Sequence, residues 1–283
     1  MIKILGDYGF CFGVEHAVSI LKKAKSNENK TVLFHPLIHN IKLNEKLMKE
    51  YNAVLFNENN LNKNDNILFS AHGHTLLDEE NYKQYKTYDA TCPLILNRYN
   101  KLEKEFNKET TYLFLGKKTH QETISFLSHF NYLKLIDINS YLTDLNNLNL
   151  DKKTKTYLVC QTTISLDTYN YVLTYLKEKT TLVGNLSICP LYLKRIENSF
   201  KTLDFVNHEN SFLIVCGDKM SSNANEILST IMNKYKTLKG VIALKLDDIN
   251  KEEIMNKDIY IVSSTSVSKE EVISLKEELE SIF

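Results

Sequence analysis

The heptapeptide CPLILNR (92–98) returns 97 residues later as CPLYLKR (189–195), matching at Cys, Pro, Leu, Leu and Arg. Proline directly after cysteine fits the first turn of a helix, so Cys92 and Cys189 are expected at helix N-termini, where the dipole favours thiolate. A third cysteine, Cys11 in GFCFGV (9–14), stands 81 residues before Cys92. Three cysteines at such regular intervals, each just after a strand or extended segment, indicate three similar small α/β units rather than the two domains that length alone favours. The expected boundaries are 12–92, 93–187, and 188–283 completed by 1–11.

Outward from these cysteines, short β-rich apolar runs alternate with amphipathic stretches, the pattern of α/β architecture with mostly parallel sheets. Strands are expected at Ile2 to Leu5, Thr31 to Phe34, Ala53 to Phe56, Asn66 to Ser70, Thr111 to Leu115, Tyr132 to Ile136, Thr156 to Cys160, Ser211 to Cys216, Val241 to Leu244 and Asp258 to Ser263. Val14, Ala17, Val18, Leu21 and Ala24 recur at helical spacing, as do Leu166, Tyr169, Val172, Leu173 and Leu176. The Asn-, Asp- and Lys-rich stretch from Ser140 to Lys155 reads as a surface excursion.

The 283 residues, 43% hydrophobic and 25% charged, have an ordinary globular composition, which excludes a disordered or collagen-like chain. Lys plus Arg equals Asp plus Glu at 35 each, so no global field recruits nucleic acid or an acidic membrane. Asp7 and two glycines interrupt the apolar stretch a signal peptide needs, and no apolar run approaches the ~20 residues of a membrane helix. A cytoplasmic protein is expected, with no nucleic-acid or membrane partner.

Five scattered cysteines are too few for a disulfide framework, and a cytosol keeps them reduced. Cys160 and Cys216 end apolar runs (TYLVC, FLIVC) and read as core. Cys11, Cys92 and Cys189 suit a zinc ion, an iron–sulfur cluster, or simple burial as small hydrophobes; without an accompanying CxxC pair, a cluster is favoured over zinc. A four-iron cluster on three thiolates keeps one iron open as a Lewis acid.

Four polar turns follow strands and precede helices: SAHGHT (70–75), GKKTHQET (116–123), CQTTIS (160–165) and CGDKMSSNANE (216–226). Helix N-termini at the carboxyl ends of parallel strands suit a phosphate or diphosphate, although Ser, Thr and Asn are equally at home there as helix caps. His39, His72 and His120 stand in or beside such turns; His74 is adjacent but undistinguished, and His16, His35, His129 and His208 have no comparable setting. Glu122, two residues after His120, becomes a proton donor if burial raises its pKa.

Taken together, GFCFGV, HPLIHN (35–40), FSAHG (69–73), DATCPL (89–94), HQE (120–122), QTTIS (161–165) and SSNANE (221–226) resemble the 4-hydroxy-3-methylbut-2-enyl diphosphate reductase family of the non-mevalonate isoprenoid pathway, in order and over nearly the whole chain. The resemblance implies three α/β domains in a pseudo-threefold arrangement around one central 4Fe-4S cluster per chain, held by Cys11, Cys92 and Cys189. It places His39, His72, Ser221, Ser222 and Asn223 at the substrate diphosphate, and His120 beside the substrate. Glu122 falls in the proton-delivery network, with Thr162 orienting the substrate hydroxyl or that glutamate. The reaction implied is reductive dehydroxylation: the open iron binds the allylic alcohol oxygen, two electrons arrive singly, water leaves, and the allyl species is protonated to isopentenyl or dimethylallyl diphosphate. With no GxGxxG after a strand, electrons are expected from an external donor, ferredoxin or flavodoxin.

The chain departs from the family pattern at three places. CPLYLKRI replaces a CxATxxRQ-like run, putting Tyr192 at a threonine position while keeping Arg195; TSVSKEE puts Val267 at a diphosphate-binding serine, leaving Ser266 or Ser268 as substitutes; and GDYGFC lacks the usual proline and arginine before the glycine. Two alternatives therefore stand beside the reductase: a paralogue whose cluster acts on another substrate, and a non-catalytic iron–sulfur sensor or diphosphate-binding module. Retention of both His120 and Glu122 speaks against the module, which needs no proton source.

Overall fold

The structure, a computed structural model, describes residues 1–26, 28–38, 40–57 and 61–283. The chain opens with β1 (Ile2–Ile4) and α1 (Phe12–Ala24). There follow β2 (Thr31–Leu33), α2 (Ile41–Glu50), β3 (Ala53–Leu55), β4 (Asn66–Phe69), α3 (Leu76–Tyr82) and β5 (Lys86–Asp89). The middle of the chain supplies α4 (Pro93–Glu105), β6 (Thr110–Gly116), α5 (Gln121–His129), β7 (Leu133–Asp137), α6 (Tyr141–Asn147), β8 (Lys155–Cys160), α7 (Leu166–Lys179) and β9 (Thr181–Leu186). The last third supplies α8 (Pro190–Leu203), β10 (Ser211–Cys216), α9 (Ser222–Lys234), β11 (Lys239–Ala243), α10 (Lys251–Ile254), β12 (Asp258–Ser263) and α11 (Lys269–Glu280).

These strands form three four-stranded sheets ordered β3-β2-β4-β5, β7-β6-β8-β9 and β11-β10-β12-β1, and every pairing is parallel. The α/β expectation holds, and the order is the same in all three. In the last sheet β1 fills the edge position that β5 and β9 fill in the others, Ile2 pairing with Ile259. Each of these edge strands leads into one of the three spaced cysteines: β5 to Cys92, β9 to Cys189 and β1 to Cys11. Central strands such as LIVC in β10 and YIVS in β12 are buried along their length, as parallel strands covered on both faces require.

By its contacts the chain forms two compact units. One comprises Met1–Glu15, Ile38–Asn44 and Cys189–Phe283 and holds the β11-β10-β12-β1 sheet; its core includes Phe212, Ile214, Ile261, Val267, Val272 and Leu275. The other comprises His16–Leu37 and Glu45–Ile188 and holds the remaining two sheets, with α3 packed on α5. Its aromatic core joins Tyr112, Phe114, Phe126 and Tyr157.

Two local expectations change. The stretch from 140 to 155 contains α6, anchored by buried Leu145, because one apolar residue is enough to seat a two-turn helix on β7. Strands β5 and β9 were not expected: as sheet edges they are largely exposed, KTYD and TLVGNL, and lack a continuous apolar run. Among the described residues, no helix is long and apolar enough to cross a membrane.

Candidate functional site

All three spaced cysteines stand at helix starts. Cys92 and Cys189 are the N-cap residues of α4 and α8, with proline next and no side-chain cap bond. The Cys11 carbonyl accepts from Glu15 N–H at 2.9 Å, which makes Cys11 the equivalent residue of α1. None is in a disulfide and all three are half-buried, whereas Cys160 and Cys216 are fully buried. Burial pushes the Cys11 thiol up, as does the neighbouring charge of Cys189, while the backbone N–H groups of Val14 and Gly13 and the guanidinium of Arg195 oppose the rise. A cation beside such sulfurs reverses that burial penalty, because a coordinated thiol is deprotonated outright. Half-buried reduced sulfurs at helix N-termini fit a soft metal centre.

In the unit that contains Cys11 and Cys189, the SSN turn begins α9. Ser221 is its N-cap, its hydroxyl oxygen accepting from Ala224 N–H at 3.3 Å, and Ser222 is the first helical residue. Asn223 accepts from Thr265 N–H at 2.9 Å, while its buried Nδ2 has no hydrogen-bond partner. Thr265 in turn accepts from Cys11 N–H at 3.2 Å, so the residues after β12 link the SSN turn to the first cysteine. An unspent amide donor at the start of a 13-residue helix is suited to an anion.

Around that loop, Ser266 is buried, Val267 lies in the hydrophobic core, and the Ser268 hydroxyl caps α11 by accepting from Glu271 N–H at 3.1 Å. Tyr192 is fully buried, which pushes its phenol up. Asn40, the last residue of HPLIHN, donates to Ser266 O at 3.4 Å and to Glu271 Oε1 at 3.0 Å. His39 lies outside the described residues.

The other unit carries Cys92, His120 and Glu122. His120 is the N-cap of α5, its Nδ1 accepting from Glu122 N–H at 3.2 Å, so Nε2 carries the proton of the neutral ring. The ring of His72 meets it edge-on, centroids 5.2 Å apart. Glu122 is fully buried: Thr162 N–H donates to Oε1 at 2.9 Å, and the Thr162 hydroxyl lies 2.6 Å from Oε2. Burial raises the carboxyl above its ordinary value; Arg98, 3.9 Å from Oε1, and the two bonds from Thr162 only partly oppose this. His120, His72, Glu122 and Thr162 thus belong to one unit and stand on the turns after β4, β6 and β8.

Gly73 sets how closely the His72 loop approaches α5. Its φ is +87°, and a Cβ there would overlap Ser125 Oγ. The four polar turns each end in a helix N-cap, namely Thr75, His120, Ser165 and Ser221. Arg98 and Arg195 were visible only as matching letters of the repeat. Both are buried and donate to backbone carbonyls at strand ends, Arg98 to Cys160 O at 2.7 Å and Arg195 to Ser263 O at 2.8 Å.

Fold and side chains together define a three-sheet parallel α/β protein that presents a reduced cysteine at the start of one helix per sheet, with a buried acid in one unit. The chain belongs to the LytB protein family, whose description matches residues 2–280. It is 28% identical over 288 residues to the 4-hydroxy-3-methylbut-2-enyl diphosphate reductase of Dictyoglomus thermophilum, covering 100% of this chain and 97% of the relative. It is 32% identical over 232 residues to the enzyme of that name from Helicobacter pylori strain Shi470, covering 81% and 80%. Its fold matches the solved E-1-hydroxy-2-methyl-but-2-enyl-4-diphosphate reductase from Plasmodium falciparum with a TM-score of 0.82 at 21% identity, over 100% of this chain and 87% of that one.

Proposed function

We propose that the chain is an oxidoreductase of non-mevalonate isoprenoid synthesis, converting 4-hydroxy-3-methylbut-2-enyl diphosphate to isopentenyl and dimethylallyl diphosphate by reductive dehydroxylation. The observation that carries this reading is the thrice-repeated edge strand leading to a half-buried reduced cysteine at a helix start. Cys11, Cys92 and Cys189 would hold one 4Fe-4S cluster, and the three-part division 12–92, 93–187, and 188–283 with 1–11 gives one four-stranded sheet to each part. When bound, such a cluster supplies electrons singly and a Lewis-acidic iron. Those electrons come from an external donor, ferredoxin or flavodoxin, in a reducing cytoplasm.

The chain's own residues bind, orient and protonate. Ser222, the free Nδ2 of Asn223 and the α9 N-terminus bind the diphosphate, joined by His39 and His72, while Ser221 holds the turn and offers its hydroxyl hydrogen. His120 donates through Nε2–H. Burial favours the protonated form of Glu122, and its proton passes by way of the Thr162 hydroxyl, which is hydrogen-bonded to Oε2, toward the substrate. Water leaves with one proton from this relay, and a second protonates the allyl carbon.

The test is a Mössbauer spectrum of anaerobic, iron-isotope-enriched protein with and without the hydroxylated allylic diphosphate. A four-iron signal with one distinct iron that shifts on adding substrate is expected. A cluster indifferent to that diphosphate would transfer support to the altered-substrate or sensor reading, and absence of a cluster would remove the cysteine assignment.

A further inference from the structure

The two ends of α5 carry different chemistry. Its start bears His120 and Glu122; its last residue, His129, meets His74 of the SAHGHT loop and Glu79 of α3. Nε2 of His74 lies 2.9 Å from Glu79 Oε1, and Nε2 of His129 lies 3.6 Å from the same oxygen. One ligand atom from each of the three falls within 4.8 Å of the others, and among the described residues no other such His/Cys/Asp/Glu group occurs.

The ring orientations are fixed by the surroundings. His129 Nδ1 lies 3.0 Å from the Ser125 carbonyl oxygen, which only accepts, so Nδ1 carries the hydrogen and Nε2 turns a lone pair toward Glu79. The His74 ring stacks on Phe69 at 4.0 Å and 13°. Its Nε2 is hydrogen-bonded to Glu79 Oε1 at 2.9 Å, and its buried Nδ1, without a hydrogen-bond partner, lies 3.8 Å from Asp89 Oδ1. A cation taking the place of the His74 Nε2 hydrogen would meet three lone pairs, from His74 Nε2, His129 Nε2 and Glu79 Oε1, with the ring hydrogen moved to His74 Nδ1 on the side of Asp89. A carbonyl or carboxylate behind each ligating imidazole is also the support that metal-bound histidines use.

We propose that His74, Glu79 and His129 form a binding site for a divalent transition metal, with Zn²⁺ the best match and water completing the shell. Around tetrahedral zinc, with bonds of about 2.0–2.2 Å, ligand atoms stand roughly 3.4 Å apart. The observed 2.9 and 3.6 Å bracket that spacing. Glu79 is half exposed, so solvent reaches the remaining position. The bound ion clamps the β4–α3 loop, α3 and the end of α5 together, and thereby holds the loop bearing His72 against the helix whose first turn bears His120 and Glu122.

The test uses anaerobic protein whose cysteines carry their iron–sulfur cluster, titrated with Co²⁺ as a spectroscopic substitute and then with Zn²⁺. The expected result is one Co²⁺ per chain beyond the cluster, with d–d bands of a nitrogen/oxygen site, no sulfur-to-cobalt charge transfer, and displacement by Zn²⁺. Extended X-ray absorption at the zinc edge should show two imidazoles and no sulfur. Glu79→Gln, at an exposed position that leaves folding intact, and His129→Gln should each weaken binding at least tenfold, and Zn²⁺ should raise the thermal midpoint of the unmodified chain alone. Sulfur charge-transfer bands, binding undiminished in both variants, or no uptake at micromolar metal would each overturn the site. If the chain carries no cluster, the same titration after cysteine alkylation tests this site separately from the reductase reading.

Discussion

Arg195 donates through Nη2 to the backbone carbonyl of Gly9 at 2.5 Å, two residues before Cys11. Arg98 donates to the carbonyl of Ser187, two residues before Cys189. Each arginine also holds the end of the third strand in its target sheet, Arg98 at Cys160 on β8 and Arg195 at Ser263 on β12. The CPLxLxR repeat therefore has a mechanical meaning. The helix opened by one cysteine carries the arginine that fixes the approach to the next: Cys92 to Cys189, then Cys189 to Cys11. The helix opened by Cys11 has Ala17 at the matching position, so the series stops there.

Replacing Arg195 by methionine should cost about 3 kcal/mol, because it removes the guanidinium bonds to the carbonyls of Gly9, Ser263 and Ser264, the last of which keeps only the Ser263 hydroxyl. Lysine should recover little, since it lacks the planar fork. Urea unfolding midpoints, with iron content per chain measured alongside, test this; a methionine variant of unchanged midpoint would show that water satisfies those carbonyls.

Glu122→Gln should leave the cysteine centre intact and lower turnover by about 10²- to 10⁴-fold, the usual contribution of a positioned proton donor. Thr162→Val should show the same split between iron content and rate, because it interrupts the 2.6 Å link to Oε2. Turnover with a chemical reductant is the readout, and undiminished rates in both variants would remove the relay.

The raised pKa of Glu122 has a definite pH signature. The folded state favours the neutral acid, so the stabilisation is complete below the unfolded carboxylate pKa and is lost as pH rises through the higher folded value. Glutamine keeps the shape without titrating. The thermal midpoint of Glu122→Gln relative to the unmodified chain should therefore rise with pH across that interval, and a pH-independent difference would contradict the assignment.

Gly73→Ala forces a side chain into a left-handed backbone and onto Ser125 Oγ. A stability loss of about 1–3 kcal/mol is expected. Since His72 is the preceding residue, the substrate KM should rise more than kcat falls. An alanine variant with native midpoint and KM would show that α5 yields to the loop.

Val267→Ser, the change that would restore the family's serine letter, should gain no activity and should cost about 2 kcal/mol, since Val267 is fully buried among apolar residues. Ser266→Ala should instead raise KM for the diphosphate. Improved turnover in Val267→Ser would mean that the loop turns over to present position 267 to substrate.

The sequence revealed what is apolar and continuous, or local and repeated. Runs such as TYLFL in β6 and FLIVC in β10 are strands buried on both faces, and the cysteine repeat marks helix starts directly. Strands β5 and β9 escaped because half of each faces water, so neither alternation nor apolar content separates them from loop. The burial of Glu122 was conditional in the sequence, since HQE carries no record of what packs around its acid. His74, Glu79 and His129 were unreadable for another reason: fifty residues separate the second from the third, and only the packing of α3 on α5 joins them.

The edge position of β1 also governs the order of assembly. The ribosome makes Ile2 long before its sheet partner Ile259. The first two sheets contain neighbours close in sequence and can close while synthesis continues; the last must wait for a long loop to be gathered in. Cys11, made earliest of the three cysteines, is consequently the last to be seated, and insertion of any metal that needs it waits until β12 has left the ribosome.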